Sequence, residues 1–96
     1  MYTSLEQLGL TSDTDISSIT SAMKDNSIAL IDVPADSGLG NTIGVATGGS
    51  IQIWKTNSWR ITGFLIPYNG RQFAVLITYA GGIPKFSDWI TFTVSV

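Results

Sequence analysis

The 96-residue sequence contains no cysteine and no histidine. The first absence excludes disulfides, thiol nucleophiles and thiolate metal sites. The second removes the usual general base, so Ser–His and Cys–His acyl-transfer pairs cannot be assembled. A metal site would need carboxylates alone. Charge is scarce as well. Only 12% of the residues are Asp, Glu, Lys or Arg, against about 25% in ordinary soluble domains, while the apolar fraction is a normal 44%. Ser, Thr, Asn and Gly stand where charges would be. Such a surface is hydrated but weakly self-repelling, which suits stable association. A net charge of −2 with no basic cluster argues against a nucleic-acid partner. The opening residues show no signal-peptide pattern, and no run approaches the roughly 18 apolar residues of a membrane span, so no membrane insertion is expected.

What is present is organised around Ser50–Tyr79, which reads as a three-stranded antiparallel meander. Asn69-Gly70 suits a two-residue type I′ turn, because both central positions of that turn need positive φ. A turn there sets Ile66 opposite Phe73, Phe64 opposite Val75 and Thr62 opposite Ile77 on one side of the sheet. On the other side Leu65 faces Ala74, Gly63 faces Leu76 and Ile61 faces Thr78. The ribbon is therefore apolar on both faces, one of them bulky. Gly63 and Ala74 mark the other as a place of close approach. Two dry faces require two covering layers, one of which a short chain can take from another copy of itself. The preceding turn is ambiguous. Thr56-Asn57 or Asn57-Ser58 at its centre puts Ile51 and Ile53 beside the bulky face, and a three-residue loop puts them on the opposite one.

Before the meander, Ser4 and Gln7 form a capping-box pattern for a single turn that Gly9 closes. Ile16, Ile19, Ala22 and Met23 recur at helical spacing. Thr11, Ser12, Asp13 and Thr14 offer N-caps, and Asp25-Asn26-Ser27 reads as the stop. Ile28–Val33, ended by Pro34, reads as a strand. Residues 35–50 hold five of the ten glycines and read as a loop with a short strand at Ile43–Ala46. Ala80–Asp88 reads as a second loop, and Trp89–Val96 alternates as a half-buried strand. The expected fold is a single, mainly β domain over 1–96. Short helices occupy 1–27, and an antiparallel, sandwich-like β region occupies 28–96.

No constellation points to catalysis. Asp13 and Asp15 stand where a helix begins, Asp32 and Asp36 flank a proline, and Asp88 stands before Trp89; capping and turn roles account for all of them. Gly38-Leu39-Gly40 and Gly48-Gly49 lack the rest of any phosphate-loop signature. No enzyme activity and no cofactor are expected. The aromatic residues carry more. A saccharide site pairs a ring, which covers the sugar's C–H face, with polar groups for its hydroxyls. Tyr68, Asn69 and Arg71 make such a group at the hairpin tip, and Phe86 and Trp89, with Lys85 and Asp88 beside them, make a second. The competing reading has Trp54, Trp59 and Trp89 capping the core or an interface.

Leu8-Gly9-Leu10, a Ser/Thr-rich helix from Asp13, and Ala22-Met23-Lys24-Asp25-Asn26-Ser27 follow one another. A strand, a Gly-rich loop, Ser50-Ile51-Gln52-Ile53-Trp54-Lys55 and Trp59-Arg60-Ile61 come next. This succession resembles a segment found near the C-termini of bacteriophage and prophage tail-fibre proteins, with Lys24 where that family often has proline. The resemblance implies a homotrimeric, receptor-binding fibre module of the virion, whose partners are copies of itself and a bacterial surface glycan or protein receptor. It brings no catalytic residues. Two other readings fit the residues: a purely structural fibre or collar piece, and a free-standing carbohydrate-binding module.

Overall fold

A computed structural model of the chain describes residues 1–68, 71–78 and 83–91. Along these runs lie a 3-10 turn (Glu6–Leu8), helix α1 (Ile16–Ala22), strand β1 (Ser27–Val33), helix α2 (Gly38–Ile43), and strands β2 (Gly49–Asn57), β3 (Arg60–Pro67), β4 (Gln72–Ile77), β5 (Lys85–Phe86) and β6 (Ile90–Thr91). The strands form one antiparallel sheet in the order β1-β2-β3-β4-β5, with β6 also paired to β4.

The register of the meander is the one that an Asn69-Gly70 turn demands. Gly63 faces Leu76, Phe64 faces Val75 and Leu65 faces Ala74. The two turn residues themselves lie outside the described residues. Between β2 and β3 the register slips between Lys55 and Asn57. An inserted residue of this kind bends the strand and adds local twist. The Asn57 side chain accepts the Trp59 N–H at 2.8 Å and so shapes the turn. As a result Ile51 faces Leu65 and Ile53 faces Gly63, which is the second of the two placements compatible with the sequence.

The inner face of the sheet is dry. Ala29, Ile31, Val33, Ile51, Ile53, Leu65, Ala74 and Leu76 are buried there under Ile19, Met23 and Leu39. Each large aliphatic side chain so buried is worth about 1.5–3 kcal/mol of transfer free energy. The close approach expected at Gly63 is made by the neighbouring strand: a Cβ there would collide with the Gln52 carbonyl oxygen.

The helical layer departs from expectation in three places. First, α1 is capped by Asp15 rather than by any of Thr11–Thr14; its carboxylate accepts the Ser18 N–H at 2.7 Å. An N-cap must stand directly before the first helical residue, and here that residue is Ile16. The helix also stops earlier, at Ala22, and Ala22 is exposed. Met23 is already extended, Asn26 turns the chain with φ of 58°, and Ser27 belongs to β1. Second, residues expected as loop and strand at 35–46 form α2. Ser37 caps it by accepting the Gly40 N–H at 2.9 Å, and Gly44 closes it in the left-handed region. Third, the loop Ala80–Asp88 contains β5; its residues 80–82 lie outside the described residues, as do Tyr79 and the last strand beyond Thr91. The opening turn keeps its capping pattern shifted by one position. Ser4 Oγ accepts the Gln7 N–H at 3.3 Å, while Gln7 Oε1 accepts the Thr3 N–H at 2.7 Å.

Among the described residues there is one mainly antiparallel sheet with helices against one face, and no second sheet lies over the other. The opposite, outer face carries Ile28, Leu30, Trp54, Phe64, Ile66, Phe73, Val75, Ile77 and Ile90, all exposed or half-buried. Trp54 meets Phe64 edge-on at 6.1 Å between ring centres, and Phe64 meets Phe73 at 6.2 Å. This aromatic line crosses three strands on the face away from the helices. Trp54 and Trp59, 39% and 62% exposed, do not cap the core of this chain.

Candidate functional site

The segment between β5 and β6 is tied to the edge of β4. The Ser87 N–H donates to the Val75 carbonyl at 2.8 Å, and Ser87 Oγ accepts the Val75 N–H at 2.9 Å while donating to the Asp88 carbonyl at 2.9 Å. One serine thus takes both backbone groups of a strand-edge residue and braces the following bend. Phe86, opposite Leu76, points to the inner side and packs on the core. Trp89 follows, 40% exposed.

This arrangement opens a cleft of about 430 Å³ in which Phe86, Asp88 and Trp89 face Ile16, Thr42 and Ile43 from the two helices. The Thr42 hydroxyl is occupied, because it donates to the Leu39 carbonyl at 2.9 Å and reaches that of Thr14 at 3.3 Å. A second cleft of about 300 Å³ lies between Thr47, Pro67, Gln72 and, again, Trp89. The size and the mixture of rings with a few polar groups are those of a small-ligand site. The second aromatic group expected from sequence, Phe86 and Trp89, is thus brought together, with Lys85 and Asp88 also lining the first cleft.

Of the first group, Tyr68 and Arg71 are among the described residues. Tyr68 is 61% exposed, but its ring lies over Gly48, where a Cβ would come within 2.9 Å of a ring carbon. Gly48 has φ of 95°, so it lacks a side chain for both reasons. The Tyr68 hydroxyl donates to the carboxylate of Asp32 on β1. That hydrogen bond, followed by lost hydration and the nearby negative charge, raises the phenol above its ordinary 10.0. Arg71 is exposed at the start of β4, and Asn69 lies outside the described residues. Tyr68 and Trp89 share one end of the sheet but belong to opposite faces. Pro67, next to Tyr68, lines the cleft on the helical side, whereas Asp32 belongs to the outer face.

Gln72, Thr47 and the helical residues Thr42 and Ile43 were not candidates from sequence. Residues 42 and 43 reach the cleft only because 38–43 is helical, and the one local signal for that is Ser37 three residues before Gly40.

Asp88 is the only carboxylate among the described residues lining either cleft, whereas glycoside hydrolysis needs two acting together. Among the described residues no three potential ligands gather for a metal ion, and no helix is long and apolar enough to cross a membrane. No family model, no curated protein and no solved structure matches the chain.

Proposed function

We propose that this chain is a homotrimeric module of a phage tail fibre that recognises a glycan on the bacterial surface, without enzymatic activity. The observation that carries the reading is the outer face of the sheet. Nine apolar residues, Trp54 and Phe64 among them, stand exposed or half-buried on the face of the sheet away from the helices. Large contiguous apolar patches mark interaction surfaces, and obligate interfaces between identical subunits are apolar in this way. The occupant is a second and a third copy of the same chain. The sparse charge of the sequence leaves little repulsion between copies, and sheets of neighbouring protomers pack against this face. The resemblance to tail-fibre segments points in the same direction and supplies the host-recognition role. The Trp89 clefts lie on the opposite, helical side of the sheet, so trimerisation through the outer face leaves them accessible.

Sedimentation or light scattering tests this directly. The parent is expected at three times the 10.3 kDa chain mass, and Phe64→Lys, placed in the middle of the aromatic line, is expected to sediment as a folded monomer. A parent that is monomeric at micromolar concentration overturns the trimer.

A further inference from the structure

Trp89 is common to both clefts. It lines both the space bounded by Phe86 and Asp88 and the space bounded by Pro67 and Gln72. The two spaces, about 430 and 300 Å³, therefore adjoin at one partly exposed tryptophan. We propose that the module takes a glycan chain of at least two sugar residues, laid across Trp89 with one residue in each cleft. This rests on the glycan-recognition reading above and specifies its ligand.

The chemistry of the lining supports a sugar chain. An indole offers a flat apolar surface to the C–H face of a pyranose, and the rim hydroxyls then need fixed polar partners. Asp88 provides acceptors on one side of the ring. The Gln72 amide provides both a donor and an acceptor on the other. Thr42 is committed to backbone carbonyls, so the polar contacts fall to Asp88 and Lys85 in the first cleft and to Gln72 and Thr47 in the second. The bracing of Ser87 against Val75 fixes the bend that carries Asp88 and Trp89. Less ordering is then required when the ligand arrives.

The test is calorimetry on the intact oligomer with single sugars, disaccharides and longer fragments of the same bacterial polysaccharides, chosen by array screening and too short to bridge two protomers. Disaccharides are expected to bind more tightly than their component sugars by about tenfold, the equivalent of one added stacking or hydrogen-bonding contact. Trp89→Ala is expected to weaken every fragment, and Trp89→Phe to restore part of the loss. Asp88→Asn should weaken single sugars and longer fragments alike, whereas Gln72→Ala should weaken only fragments longer than one residue. All variants are first matched to the parent in mass and melting temperature. Equal affinity for single sugars and longer fragments, with Gln72→Ala silent on both, overturns the two-cleft site and leaves glycan recognition standing. Absence of binding to fragments of every length by the folded parent overturns this proposal and the glycan reading together.

Discussion

The ammonium group of Lys55 on β2 donates to the Met23 carbonyl at the end of α1, at 2.8 Å, and to the Thr20 carbonyl at 2.7 Å. Lys55 is only 7% exposed. It belongs to the inner face, in line with Ile51 and Ile53, and its aliphatic stem continues the core while its charge meets the negative end of the helix.

That contact ties α1 to the sheet, and its loss has a definite cost. Lys55→Ala should leave two carbonyls of the last helical turn without their donor and lower the stability by about 2–3 kcal/mol, the scale for a hydrogen bond to a charged group. Chemical denaturation measures this. A midpoint unchanged from the parent would show that water replaces the ammonium without loss.

Asp15 makes the start of the same helix sensitive to acid. The Ser18 amide, and to a lesser extent its hydroxyl, hold the Asp15 carboxyl below its ordinary 3.8. A depressed folded-state value means that folding favours the charged form, so the stabilisation is complete above 3.8 and is lost as the pH falls through the lower folded value. The melting-temperature difference between the parent and Asp15→Ala should be constant near neutrality and should shrink only below about pH 4. Asp15→Asn should keep the cap and remove its share of that pH dependence. A difference that stays constant down to about pH 2 would contradict the assignment of Asp15 as a charged cap.

Tyr68 should be distinguishable from an exposed tyrosine by titration. Its hydroxyl is held by Asp32, so in ultraviolet difference titration one phenol should ionise above the ordinary 10.0, and Asp32→Asn should bring it down. Because the folded value is raised, the stabilisation is present below 10.0 and is lost as the pH rises through the folded value. Ionisation of Tyr68 at the same pH in the parent and in Asp32→Asn would show that the bond to Asp32 does not persist in solution.

Local chemistry was enough for several parts of this structure. An Asn-Gly pair between two apolar runs specifies the pairing of Phe64 with Val75 and Leu65 with Ala74, because side chains alternate with a period of two and a two-residue turn leaves one register. Pro34 ends β1, and the spacing of Ile16, Ile19 and Met23 places α1 on the core. The gathering of Phe86 and Trp89 was legible too, since they are close neighbours in one segment with Lys85 and Asp88. What escaped a local reading was whatever depends on partners distant in the chain. Gly-Leu-Gly-Asn-Thr-Ile has poor helix propensity, and it is helical because Leu39 is buried against the sheet and its N–H reaches the Ser12 carbonyl at 2.7 Å. The slip between Lys55 and Asn57 decides which face receives Ile51 and Ile53, and only burial of those side chains under the helices selects it. Two apolar faces and the strand pairing between them follow from alternation and turn chemistry, which are local. Which face the helices cover depends on packing between segments far apart in the chain. Two short helices can cover one side of the sheet, and packing there left Trp54, Phe64 and Phe73 on the other.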